Sequence, residues 1–365
     1  MQLDFFPSRT LTVYIARMFA VRIVAMMIVL IFVLMALDLL GRTGEILAVE
    51  GNGQAEILEY IALRIPELIQ RFLPYSVLLA TLITLVSLNQ NSEVISMKAA
   101  GLSAHQILAP LLLTAAVISA LLFTFNETVV WRTTGVLKAW QANDYAPIEA
   151  ESGIRSNIYL TDGPNILMAR RVTGEGPQTV MEDVTWYRRN PQGILAEQIR
   201  ARRATYADPG WLLEDVERFD VASAEGAEGS DTIIGREVTF EQIELESVDP
   251  EAQSFGELSE SIDAYQSAGR RTSELEAKWW HKISGPLSAF LMPLLGSVAA
   301  FGLARSGQLF VRAILGMALG FAYFVVDNAA LAMGNFGGYP PFLAAWAPFL
   351  LFLLVGETVL VRTEE

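Results

Sequence analysis

The sequence predicts an α+β membrane protein: six transmembrane helices, with a β-jelly-roll or sandwich domain inserted between the third and the fourth. Three observations predict it. The chain of 365 residues is 52% hydrophobic with a mean hydropathy of +0.37, and its apolar residues gather in runs of about 20, the length that crosses a bilayer. The charge gathers elsewhere: Gly135 to Leu275 holds 26 acidic and 13 basic residues, nearly all of the chain's net charge of −14. Within that acidic block, turn signals recur at roughly ten-residue spacing between short alternating runs, the pattern of a sandwich or jelly roll.

The first membrane half is expected over residues 1–134. Arg17 and Arg22 introduce an uncharged run from Ile23 to Leu37, inside a first span of about 17–40. No small-residue cleavage site follows it, so the run reads as an uncleaved span. Gly41 to Arg64 reads as a loop and then an amphipathic approach. Pro66 and Pro74 bracket the entry to a second span of about 67–89, and a third covers about 106–130.

Between the second and third spans lies a polar break, residues 91–103, that itself reads as a short helix. Asn91 or Ser92 can cap it, Glu93 suits the positive end of the helix dipole, and Gly101 can stop it. Physics alone favours a solvated connector there.

The block 135–255 carries turn signals at Gly163-Pro164, Gly174 to Pro177, Asn190 to Gly193 and Asp208 to Gly210. Strand-like runs lie at Ser156–Leu160, Ile166–Val172, Thr179–Tyr187, Trp211–Val221, Thr232–Phe240 and Gln242–Glu246. A connecting helix is expected within 256–277. The second membrane half, 278–365, has spans at about 280–301, 310–333 and 341–361, with Trp279-Trp280 at the membrane interface. With six spans, Arg9, Arg17, Arg22, Lys98, Arg305, Arg312 and Arg362 fall on one side. The positive-inside rule makes that side the cytoplasm, so the acidic block faces outward. Arg42 and Arg64 oppose the trend.

The composition excludes several functions. A net charge of −14 argues against a nucleic-acid partner, and the absence of cysteine excludes disulfides, thiolate metal sites and thiol nucleophiles. With only His105 and His281, a histidine-rich metal site is not expected. No phosphate-binding G-x-x-x-x-G-K-[ST], nucleophile-elbow G-x-S-x-G or zinc-binding H-E-x-x-H motif occurs. Any work done on a substrate therefore needs ATP hydrolysed by another chain. The ionisable residues near span ends carry more information: Asp38, Glu127 and Asp327 close outgoing spans, and Arg42 and Arg132 lie just beyond. Charges at that depth face protein or a water-filled cavity, where an anionic headgroup could lodge.

These pieces carry a family likeness. Asn91-Ser92-Glu93-x3-Met97-x2-Ala100-Gly101-Leu102-Ser103 is the most specific. Trp280-x-Lys282-Ile283-x2-Pro286-Leu287-Ser288, Arg305-Ser306 before Arg312, and Tyr323-x3-Asp327 before Gly338-Tyr339-Pro340-Pro341 follow in order. Over nearly its whole length the chain resembles the LptF/LptG permeases of lipopolysaccharide export in Gram-negative bacteria. Asp327 and Pro340-Pro341 look more like the LptG branch.

The resemblance implies a non-catalytic permease of the inner membrane, paired with an LptF-like second permease and a dimeric LptB-like ATPase that holds the ATP and Mg. It implies a periplasmic jelly roll handing lipid to LptC- and LptA-like proteins. It also implies that 91–103 is the coupling helix, with Asn91, Ser92, Glu93, Met97, Lys98 and Gly101 at the ATPase and Glu93 as the key carboxylate. Lipopolysaccharide and membrane lipids are the expected small partners. Arg42, Arg132 and Asp327 are expected at the headgroup, and Phe32, Phe72, Phe321 and Phe324, with Val24 and Ile28, along the acyl chains. Only Arg42 stands at the outer end of the first span, where relatives carry several lysines. Phe310 also stands where a small residue is expected. The alternative is a membrane-anchored periplasmic binding or scaffold module without transport, which needs no ATPase.

Overall fold

The computed structural model describes residues 6–147, 155–174, 176–190, 192–221, 223–240, 242–243, 248–267, 269–301 and 309–362. The chain divides into two compact units. One comprises Met1–Thr43, Ile57–Thr134 and Pro250–Glu365; the other comprises Gly44–Glu56 and Gly135–Asp249.

The first unit is helical. It holds most of α1 (Arg9–Leu47) and α2 (Gln54–Gln90), with α3 (Glu93–Ala99) and α4 (Ala104–Phe125); α4 runs through a π-helical turn (Asn126–Val130) into α5 (Trp131–Ala142), most of which falls in the second unit. After the sheet come α6 (Phe255–Ser267), α7 (Ser273–Phe301), α8 (Leu309–Asn335) and α9 (Pro341–Arg362). Among the described residues five helices are long and apolar enough to cross a membrane: Arg9–Leu47, Gln54–Gln90, Ala104–Ala142, Ile314–Asn335 and Pro341–Arg362. With the family to which the chain is shown below to belong, they make it a multi-pass membrane protein. The stretch expected as the fourth span lies in α7, and the Arg305-Ser306 turn lies outside the described residues.

The helices outrun the apolar runs. α1 continues to Leu47, so most of the loop expected from Gly41 is helix. Pro66 and Pro74 lie inside α2 rather than at its start. A proline at membrane depth is tolerated where neighbouring helices and hydroxyl side chains satisfy the freed backbone groups. Ser76 Oγ donates to the Phe72 carbonyl at 3.1 Å in this stretch. One core runs through the unit: Ile15 and Phe19 of α1, Val77, Leu78, Leu85 and Leu88 of α2, Ile107 to Leu111 of α4, Leu291 to Leu295 of α7, and Tyr323 of α8 are all buried. Glycines set the helix spacing. A Cβ on Gly334 of α8 would strike the Cβ of Ala344 on α9, and one on Gly356 of α9 would meet Leu294 of α7 at 2.7 Å.

The second unit is an antiparallel sheet of β1 (Arg155–Asp162), β2 (Asn165–Thr173), β3 (Val180–Arg189), β4 (Leu195–Ala207), β5 (Gly210–Asp220), β6 (Glu225–Gly229) and β7 (Thr232–Ile234). The strands pair in chain order from β1 to β6, and β7 also pairs with β5. The described strands therefore form a meander. The crossing strand order expected of a jelly roll is not present among them, because each tight turn returns the chain to the strand just left.

β4 and β6 were not legible as strands. β4 is rich in Ala and Arg, and only Ile199, Ala201 and Ala204 are buried in it. β6, Glu-Gly-Ala-Glu-Gly, contains no β-branched residue. The run expected at Gln242–Glu246 is helical at Gln242 and Ile243, and the rest of it is outside the described residues.

The sheet is folded along a line. Asn157, Arg170, Asp183, Arg202 and Asp215 face one another across β1 to β5, yet none of these facing pairs joins the ladder, and the register is unchanged on either side. β6 and β7 meet β5 on the two sides of the same line. Burial switches parity there: Ala169 and Val172, Met181 and Val184, Ala201 and Ala204, and Leu213 and Val216 are all buried, three residues apart. In a straight strand such pairs point to opposite faces. Asp183 and Asp215 turn the backbone with φ of 51° and 56°, so the inner face stays apolar on both halves. From β2 to β5 the side chains at the line, Arg170, Asp183, Arg202 and Asp215, are exposed and alternate in sign. Arg170 pairs with Asp183 at 3.5 Å, and Arg202 Nε donates to Asp215 Oδ2 at 2.8 Å. Trp211, fully buried, anchors the interior and donates from Nε1 to the Val238 carbonyl at 3.2 Å.

Candidate functional site

The intracellular lever expected at 91–103 is formed by α3 alone. It ends at Ala99, Gly101 follows with φ of 87°, and Ser103 belongs to the next helix. There Ser103 and Gln106 make a reciprocal capping box at the start of α4. Ser92 does not cap α3 through its side chain; it sits in the left-handed region with φ of 60° and ψ of 13°. Its carbonyl instead accepts from the Ser96 backbone N–H and hydroxyl, both at 3.0 Å. Val94 and Met97 are buried in the core of the helical unit, so α3 is fastened by one face. Asn91, Ser92, Lys98 and Gly101 are exposed, and Ile95 is 56% exposed beside them. Glu93 is half-buried and accepts from the Tyr14 hydroxyl of α1 at 3.4 Å. α3 thus touches the first helix directly, and its exposed face carries an apolar side chain among polar ones.

The proposed lipid contacts fall into separate groups. Val24, Ile28 and Phe32 form an exposed stripe on α1, with Phe32 at 75% exposure. Phe321 is exposed on α8. Phe324, one turn further, is buried, and its ring stacks on Tyr75 of α2 at 3.8 Å, with Phe72 beside Tyr75 at 5.7 Å. Phe324 is therefore a packing residue in this state, and Phe72 reaches it through Tyr75. Asp327 is also buried, and its Oδ2 lies 3.1 Å from His281 Nε2 of α7. Arg42 is exposed, and Arg132 lies over the Trp131 ring at 5.1 Å.

Several groups were missed in the sequence. Arg71 is exposed on α2, one turn before Tyr75. A lone cation inside an apolar run was the available signal. Tyr60, buried, donates to Asp38 Oδ2 at 2.6 Å, and Arg64 stands between Asp38 at 3.4 Å and Glu67 at 2.5 Å. Asp38 and Arg64, which read as unrelated charges along the chain, therefore answer each other across α1 and α2. His281 drew no pairing from sequence, because its partner lies on the following long helix.

The comparisons with known proteins bear on the whole chain. The sequence profile described as "Lipopolysaccharide export system permease LptF/LptG" matches residues 13–362. The chain is 26% identical over 341 residues to the lipopolysaccharide export system permease protein LptG of Escherichia coli K12, covering 91% of this chain and 93% of that protein. It is 26% identical over 322 residues to LptG of Haemophilus influenzae, covering 86% and 89%. With residues 13–362 matched, the chain belongs to the LptF/LptG family of lipopolysaccharide export permeases.

Proposed function

We propose that this chain is the LptG-like permease of an ATP-driven lipopolysaccharide exporter, working beside an LptF-like permease and a dimeric LptB-like ATPase. In this reading the chain makes six spans, with both termini in the cytoplasm and the sheet unit in the periplasm, where it passes lipid towards LptC- and LptA-like proteins. The observation that carries the reading is the family match from residue 13 to 362, which takes in α3, the sheet and both helical halves.

In this reading α3 lies in a groove of the ATPase. ATP binding closes the ATPase dimer, α3 is pushed, and its buried face at Val94 and Met97 carries the thrust into the core. The apolar stripe of α1 and exposed Phe321 meet the acyl chains. Arg42, Arg132 and Arg71 meet the phosphates, which favour fixed cations at a headgroup. Two observations support it: the exposed face of α3, and the exposure of Val24, Ile28 and Phe32 on α1 among the described residues.

Glu93 supplies a charge-assisted hydrogen bond to the ATPase, worth about 1.5–3 kcal/mol. Glu93→Ala is expected to lower lipopolysaccharide export and coupled ATP hydrolysis while leaving the amount of folded chain unchanged. Pull-down from a detergent extract is the companion measurement. It should recover a second permease and a soluble ATPase, and recovery of neither would leave the scaffold reading standing.

A further inference from the structure

Among the described residues of the helical unit, Glu127 and Lys282 form an enclosed cross-helix ion pair with no part yet in the mechanism. Glu127 lies in the π-helical turn that ends α4, and Lys282 lies near the start of α7. Their side chains are 19% and 15% exposed, with Lys282 Nζ 3.6 Å from Glu127 Oε1. Both also hold the returning chain. Glu127 Oε2 accepts the Phe255 backbone N–H at 2.7 Å, and Lys282 Nζ donates to the Gln253 carbonyl at 2.7 Å. Phe255 then stacks on Trp279 at 4.4 Å. A single π turn inside an α-helix is rare and recurs at functional positions. Here it places Glu127 where the chain leaves the helical unit, opposite the segment by which it returns.

We propose that Glu127 and Lys282 are positioning residues. They clasp the outgoing end of α4, the returning segment Gln253–Phe255 and the start of α7, so that these move as one piece when the helices shift. This rests on the exporter reading above. Motion begun at α3 enters α4 at Ser103, travels up α4 and is delivered to both chain segments that lead to the sheet. With the clasp open, α4 can move without carrying the return segment. Fuel is then spent without lipid being handed on. Lys282 and Glu127 touch no substrate in this account.

The test uses the chain assembled with its second permease and ATPase in proteoliposomes, recording ATP hydrolysis and lipopolysaccharide delivered per ATP. Glu127→Gln and Lys282→Met should each keep hydrolysis within about twofold and cut delivery per ATP by about tenfold, the scale of one lost charged hydrogen bond. Delivery per ATP equal to that of the unchanged chain overturns the proposal. Losing one member of an enclosed pair can impair folding. A second variant covers that case: Glu127→Cys with Lys282→Cys, in a chain that has no other cysteine. Bridging the two thiols with a short bis-thiosulfonate should restore delivery, and reductant should remove it again. Delivery indifferent to the bridge also overturns the clasp. An unchanged chain that neither couples hydrolysis nor delivers lipid sinks the exporter reading and takes the clasp with it. A competent chain whose variants behave normally sinks the clasp alone.

Discussion

Asp183 and Asp215 hold φ angles of 51° and 56° in the middle of strands. Asp tolerates the left-handed region better than most residues with a side chain, and a β-branched residue does not. Their acidity is not needed for the inner face, since both side chains are exposed. Asp215→Gly should therefore keep the sheet, while Asp215→Val should cost about 1–3 kcal/mol of strain, read as a lower unfolding temperature of the purified protein in detergent. If valine were as stable as glycine, the turn at the line would not depend on this conformation. Gly334 makes the same point among the helices. Its neighbour is the Cβ of Ala344, which has no rotamer by which to withdraw. Gly334→Ala is expected to separate α8 from α9 and cost about 1–3 kcal/mol, the usual range for overpacking. Nothing in the composition marks either position. Asp183 and Asp215 look like surface carboxylates, and Gly334 looks like one small residue among many in a span.

At the scale of elements, legibility followed the strength of the local signal. The long apolar helices were read from hydropathy, because a run of about 20 apolar residues has few other uses. Their ends were not, since α1 continues as helix into polar sequence to Leu47 and α2 runs through Pro66 and Pro74 from a polar start at Gln54. β4 was lost because its buried face is built from alanines and its other face from arginines, so no alternation of large apolar residues shows. The shared line across the sheet was hidden for a related reason. A parity change within one strand looks like noise, and it acquires meaning only when β2 to β5 all show it at facing positions.

The polar break gave α3 and its bounding residues, Ser92 at the N-cap and Gly101 just past the end, but not that Ser92 makes no side-chain cap hydrogen bond. Ser92 and Ser103 both precede helices, and only Ser103 has a partner three residues on, Gln106, to complete the box. Ser103→Ala should thus destabilise the start of α4 by about 0.5–2 kcal/mol, whereas Ser92→Ala should fall well below that. Hydrogen exchange at the first-turn amides of α4 and α3 distinguishes them. Equal protection changes in the two variants would contradict the capping assignment.

Across the whole molecule, the core is unevenly shared among the long helices. The apolar window of α1 is 17% buried within the chain, against 56% for α2. α1 is nonetheless tied at both ends: Tyr14 meets Glu93 near one, and Asp38 meets Tyr60 and Arg64 near the other. A helix fixed at its ends, with one face packed at Ile23 and Met27 and the other bare at Val24, Ile28 and Phe32, is suited to line a space completed by another protein. Membrane helices gain little from apolar contact with lipid alone, so an exposed apolar face does not explain itself through stability. The proposed exporter completes it with the second permease. Phe32→Cys reports on this, since the chain contains no cysteine. In membranes where the chain is expressed alone, a lipid-soluble maleimide should label that position rapidly. Co-expression with the second permease should slow labelling several-fold. Leu354→Cys is the control: it lies 66% exposed on α9 and should label alike in both membranes. If Phe32→Cys also labelled alike, α1 would face lipid on its own, and the space for lipopolysaccharide would have to be built from another helix.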